Sequence, residues 1–268
     1  MDLTNALSAA LLGLVEGLTE FLPVSSTGHL ILLVDLLGFK GPPGAVFEVV
    51  IQLGAIFAVC WAYRIRLLRV AFTAFSDPKS FAFARNILLG FLPAMVLGFL
   101  FHDFIKGVLF NPWVVSVMLI LGGLAILWIE RRLFDPRYHG VETMPGPLAL
   151  KVGFCQALAM VPGVSRSGAT IMGGLLLRLD RKAATEFSFF LAIPTMLAAT
   201  VYDLYKVRNV IDTGGFGLIA IGFTIAFLAA LLVVRSVIAF ISRHGFVPFA
   251  WYRIAVGTLM LAILFARG

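Results

Sequence analysis

The sequence predicts an all-α polytopic membrane protein: six transmembrane helices plus two re-entrant helix–loop–helix hairpins, related as an inverted-topology repeat. Three observations predict it. Of 268 residues, 60% are hydrophobic and only 13% charged, with a mean hydropathy of +1.00, whereas soluble domains run near one quarter charged. Six apolar runs approach the roughly 20 residues needed to cross a hydrocarbon core of about 30 Å. Two further apolar runs are interrupted at their centres by proline, glycine and hydroxyl residues. Together these exclude a soluble enzyme, a disordered chain, a disulfide-rich secreted module and an outer-membrane barrel, whose strands alternate apolar and polar.

Taken in order, the chain begins MDLTNALSAA, which lacks a basic n-region and so does not read as a cleaved signal peptide. The first interrupted run, 6–37, carries Pro23 and a Ser-Ser-Thr-Gly-His stretch at its middle. Three crossings follow at about 45–63, 84–101 and 112–130. The second interrupted run, 150–177, carries Pro162 and Gly-Val-Ser-Arg-Ser-Gly, and crossings follow at about 185–203, 216–234 and 249–266. A simple crossing would not place helix breakers and polar groups at mid-membrane. A hairpin that enters and leaves on one side would, because its irregular backbone is shielded by protein or lines a cavity.

Charge supports that choice. The net charge of +7 is spread between apolar spans rather than gathered in one run, so it reads as orientation and implies no nucleic-acid partner. With both interrupted runs re-entrant, one side receives fourteen basic residues: Arg64, Arg66, Arg69, Lys79, Arg85, Arg131, Arg132, Arg137, Lys151, Arg178, Arg181, Lys182, Arg235 and Arg243. The other receives five, Lys40, Lys106, Lys206, Arg208 and Arg267, while Arg166 and Arg253 stay within membrane segments. The basic side is cytoplasmic by the positive-inside rule, which puts both termini outside. The first hairpin then dips in from outside and the second from the cytoplasm. Each half is a hairpin plus three crossings, and an odd number of crossings inverts the second half.

A shift of 140 residues aligns Glu16 with Gln156, Leu18 with Leu158, Ser25 with Ser165, Thr27 with Ser167 and Gly28 with Gly168. Phe47-Glu48 and Glu186-Phe187 each precede an apolar run at a shift near 138. The chain is read as one integral membrane domain, 1–268, with repeats at about 1–132 and 148–268. Cys60 and Cys155 lack metal spacing and read as small core residues.

Residues 16–30 read EGLTEFLPVSSTGHL. Glu16 and Glu20 are spaced i, i+4 and share a helix face. Either they sit at the hairpin's aqueous mouth, or they form a pair that handles a divalent cation or a proton, since carboxylates at membrane depth need a cation, a metal or water. Ser25, Ser26 and Thr27 precede an apolar run, where one serine serves as an ordinary N-cap. Three hydroxyls in succession exceed that need, and a half-helix N-terminus is a natural anion site. Ser26 and His29, at i, i+3, make a hydroxyl with a neighbouring base, the minimum for nucleophilic attack.

Residues 162–170 read PGVSRSGAT. Arg166 lies mid-membrane, where a guanidinium costs at least ~2.5 kcal/mol on insertion scales, so an anion should face it. That anion is a glutamate (Glu16, Glu20 or Glu48), a phosphate held with Ser165, Ser167 and the turn's amides, or each in turn. Glu48 and Gln52, i, i+4 on one helix, are candidate cavity-lining residues, with Glu186 the counterpart of Glu48. Asp35, His102, His139 and His244 fall near span ends and read as solvated.

The two motifs together resemble the undecaprenyl-diphosphate phosphatase family, the bacitracin-resistance proteins, and the resemblance extends through FEVVIQLGAIFAV and EFSFFLAIP over nearly the whole chain. It implies hydrolysis of undecaprenyl diphosphate to undecaprenyl phosphate and inorganic phosphate, recycling the lipid carrier for envelope glycans and conferring bacitracin resistance. It also implies a divalent cation, Mg or Ca, and a multi-pass protein of the bacterial cytoplasmic membrane with its site open to the outer side. Expected partners are a polyprenyl diphosphate lipid and membrane lipids, with a second copy as a candidate homodimer partner. Phosphoryl transfer asks mainly for positioning and charge neutralisation. The expected catalytic set is Glu20, Ser26, His29 and Arg166, with Glu16 and Glu20 on the metal or one of them as base. Ser26 is the expected nucleophile, activated by His29 or with His29 protonating the leaving group, and a water held by Glu20 competes for that role. Ser25, Thr27, Gly163, Ser165, Ser167 and Thr170 are the expected phosphate-binding residues. The rival class is a secondary transporter or lipid flippase, because inverted repeats with broken midplane helices are also a transporter design.

Overall fold

A computed structural model of the chain describes residues 3–39, 41, 46–132, 134–208 and 215–267. Lys40 of the charge count lies outside the described residues, as do the side chains of His102 and Lys106.

Among the described residues the regular elements are helices joined by turns and loops, with one isolated bridge between Tyr138 and Leu179. The first interrupted run becomes α1 (Leu3–Thr19) and α2 (Ser26–Leu37). Next, α3 (Val46–Ala62) turns through 76° into α4 (Arg64–Thr73). Then α5 (Pro78–Phe104) runs on into a π-helical turn, Ile105–Leu109, ahead of α6 (Pro112–Glu130). The second interrupted run becomes α7 (Gly146–Ala157), a 3-10 turn (Leu158–Met160) and α8 (Arg166–Leu176). The chain closes with α9 (Arg181–Val207), α10 (Phe216–His244) and α11 (Val247–Arg267).

Five of these helices, α5, α6, α9, α10 and α11, are each long and apolar enough to cross a membrane, and there are six candidate spans if the bent pair α3–α4 is counted as one. This matches the six apolar runs. The sixth departs from a straight span because its apolar stretch is short: α3 has 17 residues, and the chain then meets Arg64, Arg66 and Arg69. No residue of α4 is buried. Ile65, Leu68 and Phe72 are exposed along one face with Arg64 and Arg69 on its borders, the composition of a helix lying in the membrane interface.

Helix contacts run through small residues, as expected where lipid supplies no hydrophobic drive and close backbone approach must hold helices together. On the α1–α10 contact, a Cβ added to Gly13 would strike the Gly222 carbonyl. On the α5–α7 contact, a Cβ on Gly153 would come within 2.5 Å of Gly90 O and 2.9 Å of Pro93 Cδ. Along α6–α11, Gly123 would meet Ala250 O at 2.7 Å and Gly257 would meet Ser116 O at 2.7 Å. Between these pairs, α3 packs against α9, whose Phe187, Phe189 and Phe190 are fully enclosed.

Both breaks are built alike. Ser25 caps α2 with φ +70°, its hydroxyl accepting from Gly28 N; Ser165 caps α8 with φ +75°, its hydroxyl accepting from Gly168 N at 3.1 Å. Non-glycine residues rarely hold positive φ, and such strain persists only where neighbours over-determine it. Away from the breaks, at the end of the bundle carrying the basic loops, Arg66 bridges Glu142 at 2.7 Å and Glu186 at 2.8 Å.

Candidate active site

The two breaks come together inside the bundle. Ser167 Oγ donates to Leu22 O at 2.6 Å, and Arg166 Nη2 meets Glu20 Oε1 at 2.8 Å, so each loop holds the other. Glu20 and Arg166 are both nearly enclosed, with side-chain exposures of 6% and 13%. In such surroundings a lone charge would be costly, and each makes the other tolerable.

Glu20 uses both oxygens. Oε1 takes Arg166, and Oε2 accepts the hydroxyl of Ser26, the first residue of α2. Ser26, Glu20 and Arg166 therefore form one continuous hydrogen-bonded chain. The carboxylate is placed to take the Ser26 proton, and the guanidinium fixes its orientation. Arg166 is anchored from behind by Nη1, which donates to Ser188 O at 2.8 Å, and its plane lies over Phe21 at 5.7 Å. Its Nε is buried with no partner, an available donor beside the occupied one.

A cavity of about 490 Å³ opens onto this chain. Its polar lining includes Glu20, Ser25, Ser26, Thr27, Gly163, Ser165, Arg166, Gln52 and Gln156. Phe91, Met95, Phe99, Phe110, Met160 and Tyr202 add an apolar and aromatic lining, with Asp203 beside Tyr202. By helical geometry the first-turn amides of α2 and α8 lack intrahelical acceptors, so two half-helix N-termini face one polar space. The site combines a hydroxyl with an adjacent base, a guanidinium and two partial positive ends, beside an apolar channel.

The predicted residues divide accordingly. Glu20, Ser25, Ser26, Thr27, Gly163, Ser165 and Arg166 are brought together at the cavity, and Gln52 lines it. Other expectations are corrected. His29 does not meet Ser26: its Nδ1 lies 2.8 Å from Ser25 O and its Nε2 2.7 Å from the Tyr252 hydroxyl, because the ring turns toward α11. Ser167 directs its hydroxyl at Leu22 O instead of into the cavity, and Thr170 Oγ1 sits 2.7 Å from Ser188 Oγ, behind Arg166. Glu48 is not among the lining residues, and its counterpart Glu186 pairs with Arg66 at the basic end. Glu16 is fully enclosed beside Glu20, outside the cavity lining, and its carboxyl group has no hydroxyl, amide or cationic partner.

Sequence reasoning missed Ser188 and the pair Tyr252–Arg253. Ser188 left only a serine within an aromatic run as its trace. Arg253 left a clear one, a charge inside an apolar span.

Comparison with known proteins places this geometry among relatives. Residues 9–259 match the family described as "Bacitracin resistance protein BacA". The chain is 59% identical over 261 residues to "Undecaprenyl-diphosphatase 2" of Paramagnetospirillum magneticum, covering 97% of this chain and 100% of the relative. It is 56% identical over 262 residues to "Undecaprenyl-diphosphatase" of Aromatoleum aromaticum, covering 98% and 96%. Against "Undecaprenyl-diphosphatase" of Ectopseudomonas mendocina it is 53% identical over 262 residues, covering 98% and 95%.

Proposed function

The chain belongs to the bacitracin resistance protein BacA family, and from that premise we propose how it works. It is a multi-pass bacterial membrane phosphatase that cleaves undecaprenyl diphosphate to undecaprenyl phosphate and inorganic phosphate, returning the lipid carrier to cell-wall synthesis and giving bacitracin resistance. The observation that carries the mechanism is the Ser26–Glu20–Arg166 chain in the polar lining of the cavity.

The diphosphate docks against the first-turn amides of α2 and α8 with Arg166 across its oxygens, and the prenyl chain leaves past Phe91, Phe99 and Phe110 into lipid. Ser26 Oγ gives its proton to Glu20 Oε2 and attacks the terminal phosphorus. The bond from that phosphorus to the bridging oxygen breaks, and undecaprenyl phosphate departs. Glu20 passes that proton to the departing undecaprenyl phosphate and, as a carboxylate again, takes one from water. The hydroxide attacks the phosphoserine, the bond from phosphorus to Ser26 Oγ breaks, Glu20 returns the proton to Ser26 and phosphate is freed. The leaving group is a phosphate monoester whose second pKa is roughly 6, so it needs no strong acid at its back. This removes the requirement for His29 as a proton donor.

A divalent cation would be held by Glu20, whose two oxygens Ser26 and Arg166 engage, and by Glu16, enclosed beside it. Among the described residues no third His, Cys, Asp or Glu joins Glu16 and Glu20. Hard cations such as Mg are, however, commonly held by one or two carboxylates with substrate phosphates and waters as the other ligands. The Glu16 carboxyl group, without a hydroxyl, amide or cationic partner, is the observation that supports this. When bound, the ion would neutralise part of the diphosphate charge.

The halves are proposed to be inverted repeats with both interrupted runs re-entrant. Support comes from the matched Ser25 and Ser165 caps and from Gly13 and Gly153, 140 residues apart, each pressed against a partner helix. The cavity's apolar and aromatic lining takes in the π-helical turn and Tyr202, on the side poor in basic residues, and this supports a site open to the outer face of the inner membrane.

Phosphate release from undecaprenyl diphosphate by purified protein in detergent tests the reading, since a transporter has no compartments to work between there. Chelator should suppress the release. A phosphoserine trapped at position 26 supports the covalent route, and full turnover by Ser26→Ala excludes it in favour of water held by Glu20.

A further inference from the structure

We infer that Arg253 is a positioning residue for this reaction: its guanidinium ties the two catalytic loops to each other and to α6 from behind the site. The inference rests on the phosphatase reading. Arg253 lies within α11 and leads the fully enclosed side chains in size. Its Nη1 donates to Pro23 O and to Val164 O, each at 3.0 Å. Nη2 donates to Gly163 O at 2.8 Å and Met118 O at 3.1 Å, and Nε donates to Leu119 O at 3.3 Å. Every described partner is a backbone carbonyl, and they come from both hairpin tips and from α6.

A guanidinium is costly at this depth, and a rigid planar fork can hold three segments at fixed angles as no flexible amine can. The carbonyls it holds lie just before the two strained serines, Ser25 and Ser165, whose positive φ must be imposed by surroundings. Because a trans peptide sets C=O and N–H on opposite sides, drawing the Val164 carbonyl toward Arg253 turns the Ser165 amide the other way. Ser165 lines the cavity. The neighbouring residue joins in: the Tyr252 hydroxyl meets His29, whose other nitrogen meets Ser25 O.

A further tie is needed for a mechanical reason. When phosphate engages Arg166, the Glu20–Arg166 pair is shared with substrate and weakens as a tie between the loops, leaving the Ser167–Leu22 hydrogen bond. Arg253 joins the same loops through contacts that substrate does not reach, so Ser26 and Arg166 keep their register through turnover.

Wild-type, Arg253→Lys and Arg253→Met proteins would be compared for phosphate release from undecaprenyl diphosphate, with folding checked by monodispersity and thermal unfolding. Absence of release by wild type would refute the phosphatase reading itself. Given wild-type activity, the expected result is a graded loss in kcat, at least ~10-fold for Arg253→Lys and about 10²-fold for Arg253→Met, because small misplacements of reacting groups have effects of that order. KM should stay within about 3-fold, since the phosphate ligands themselves remain. Wild-type kcat in the folded variants would overturn the inference. So would a rise in KM matching the loss in kcat, which would place Arg253 on the substrate. Failure of both variants to fold would assign the residue to global stability and overturn it as well.

Discussion

Arg166 has three obligations: Glu20 on one Nη, Ser188 O on the other, and an Nε left over for an incoming oxygen. Only a planar fork meets them together. Arg166→Lys should therefore lower kcat/KM for phosphate release by about 10²-fold or more, the scale of losing a transition-state donor, while leaving the protein folded. Near-normal turnover by that variant would show that fork geometry is not used. Glu20 and Arg166 were legible in the sequence because a charge inside an apolar run demands an opposite partner, and few were on offer. The direction of His29 was not. Its i, i+3 spacing from Ser26 allows a shared face, but the ring is claimed by Tyr252, 223 positions later. Arg253 was visible as a buried charge, yet its partners are backbone carbonyls, which carry no side-chain signature.

At the scale of elements, the two breaks and the helix crossings divide the labour. The hydroxyl-rich breaks supply chemistry, and glycines such as Gly13 and Gly153 let α1 and α7 lie against α10 and α5 closely enough to aim the breaks at one another. Substituting alanine at either glycine forces a methyl onto partner backbone. Each change should cost about 1–3 kcal/mol, the usual range for overpacking, read as a lower unfolding temperature in detergent. An unchanged melting temperature for both would mean that the crossings relax freely. The interrupted runs were readable in advance because Pro23 and Pro162 sit amid hydroxyls. The 76° bend into α4 was not, since its amphipathic stretch merges with the basic loop expected after residue 63.

At the scale of the whole molecule, orientation follows from the charge asymmetry between the two ends. In a background lacking Cys60 and Cys155, a cysteine at position 267 should react with a membrane-impermeant thiol reagent in cells whose inner membrane is intact. One at position 131 should react only after that membrane is opened. The reverse pattern would turn the cavity toward the cytoplasm and undo the proposed outer-face access. The five or six candidate spans were legible because length and hydropathy suffice to define them. The meeting of the two interrupted runs was hinted at only by a weak internal similarity, to which the alike caps at Ser25 and Ser165 correspond.

The carboxylate already seated on Arg166 bears on selectivity among neighbours. Ordinary phospholipids surround the protein in vast excess, each with a phosphodiester bearing a single negative charge. Glu20 acts as a resident competitor that leaves a monoanion little to gain from Arg166, whereas a diphosphate, with more charge and more oxygens to spread between Arg166 and the helix ends, can share the guanidinium with it. The resting ion pair would thus keep bulk lipid from clogging a pocket that must stay ready for a scarce one.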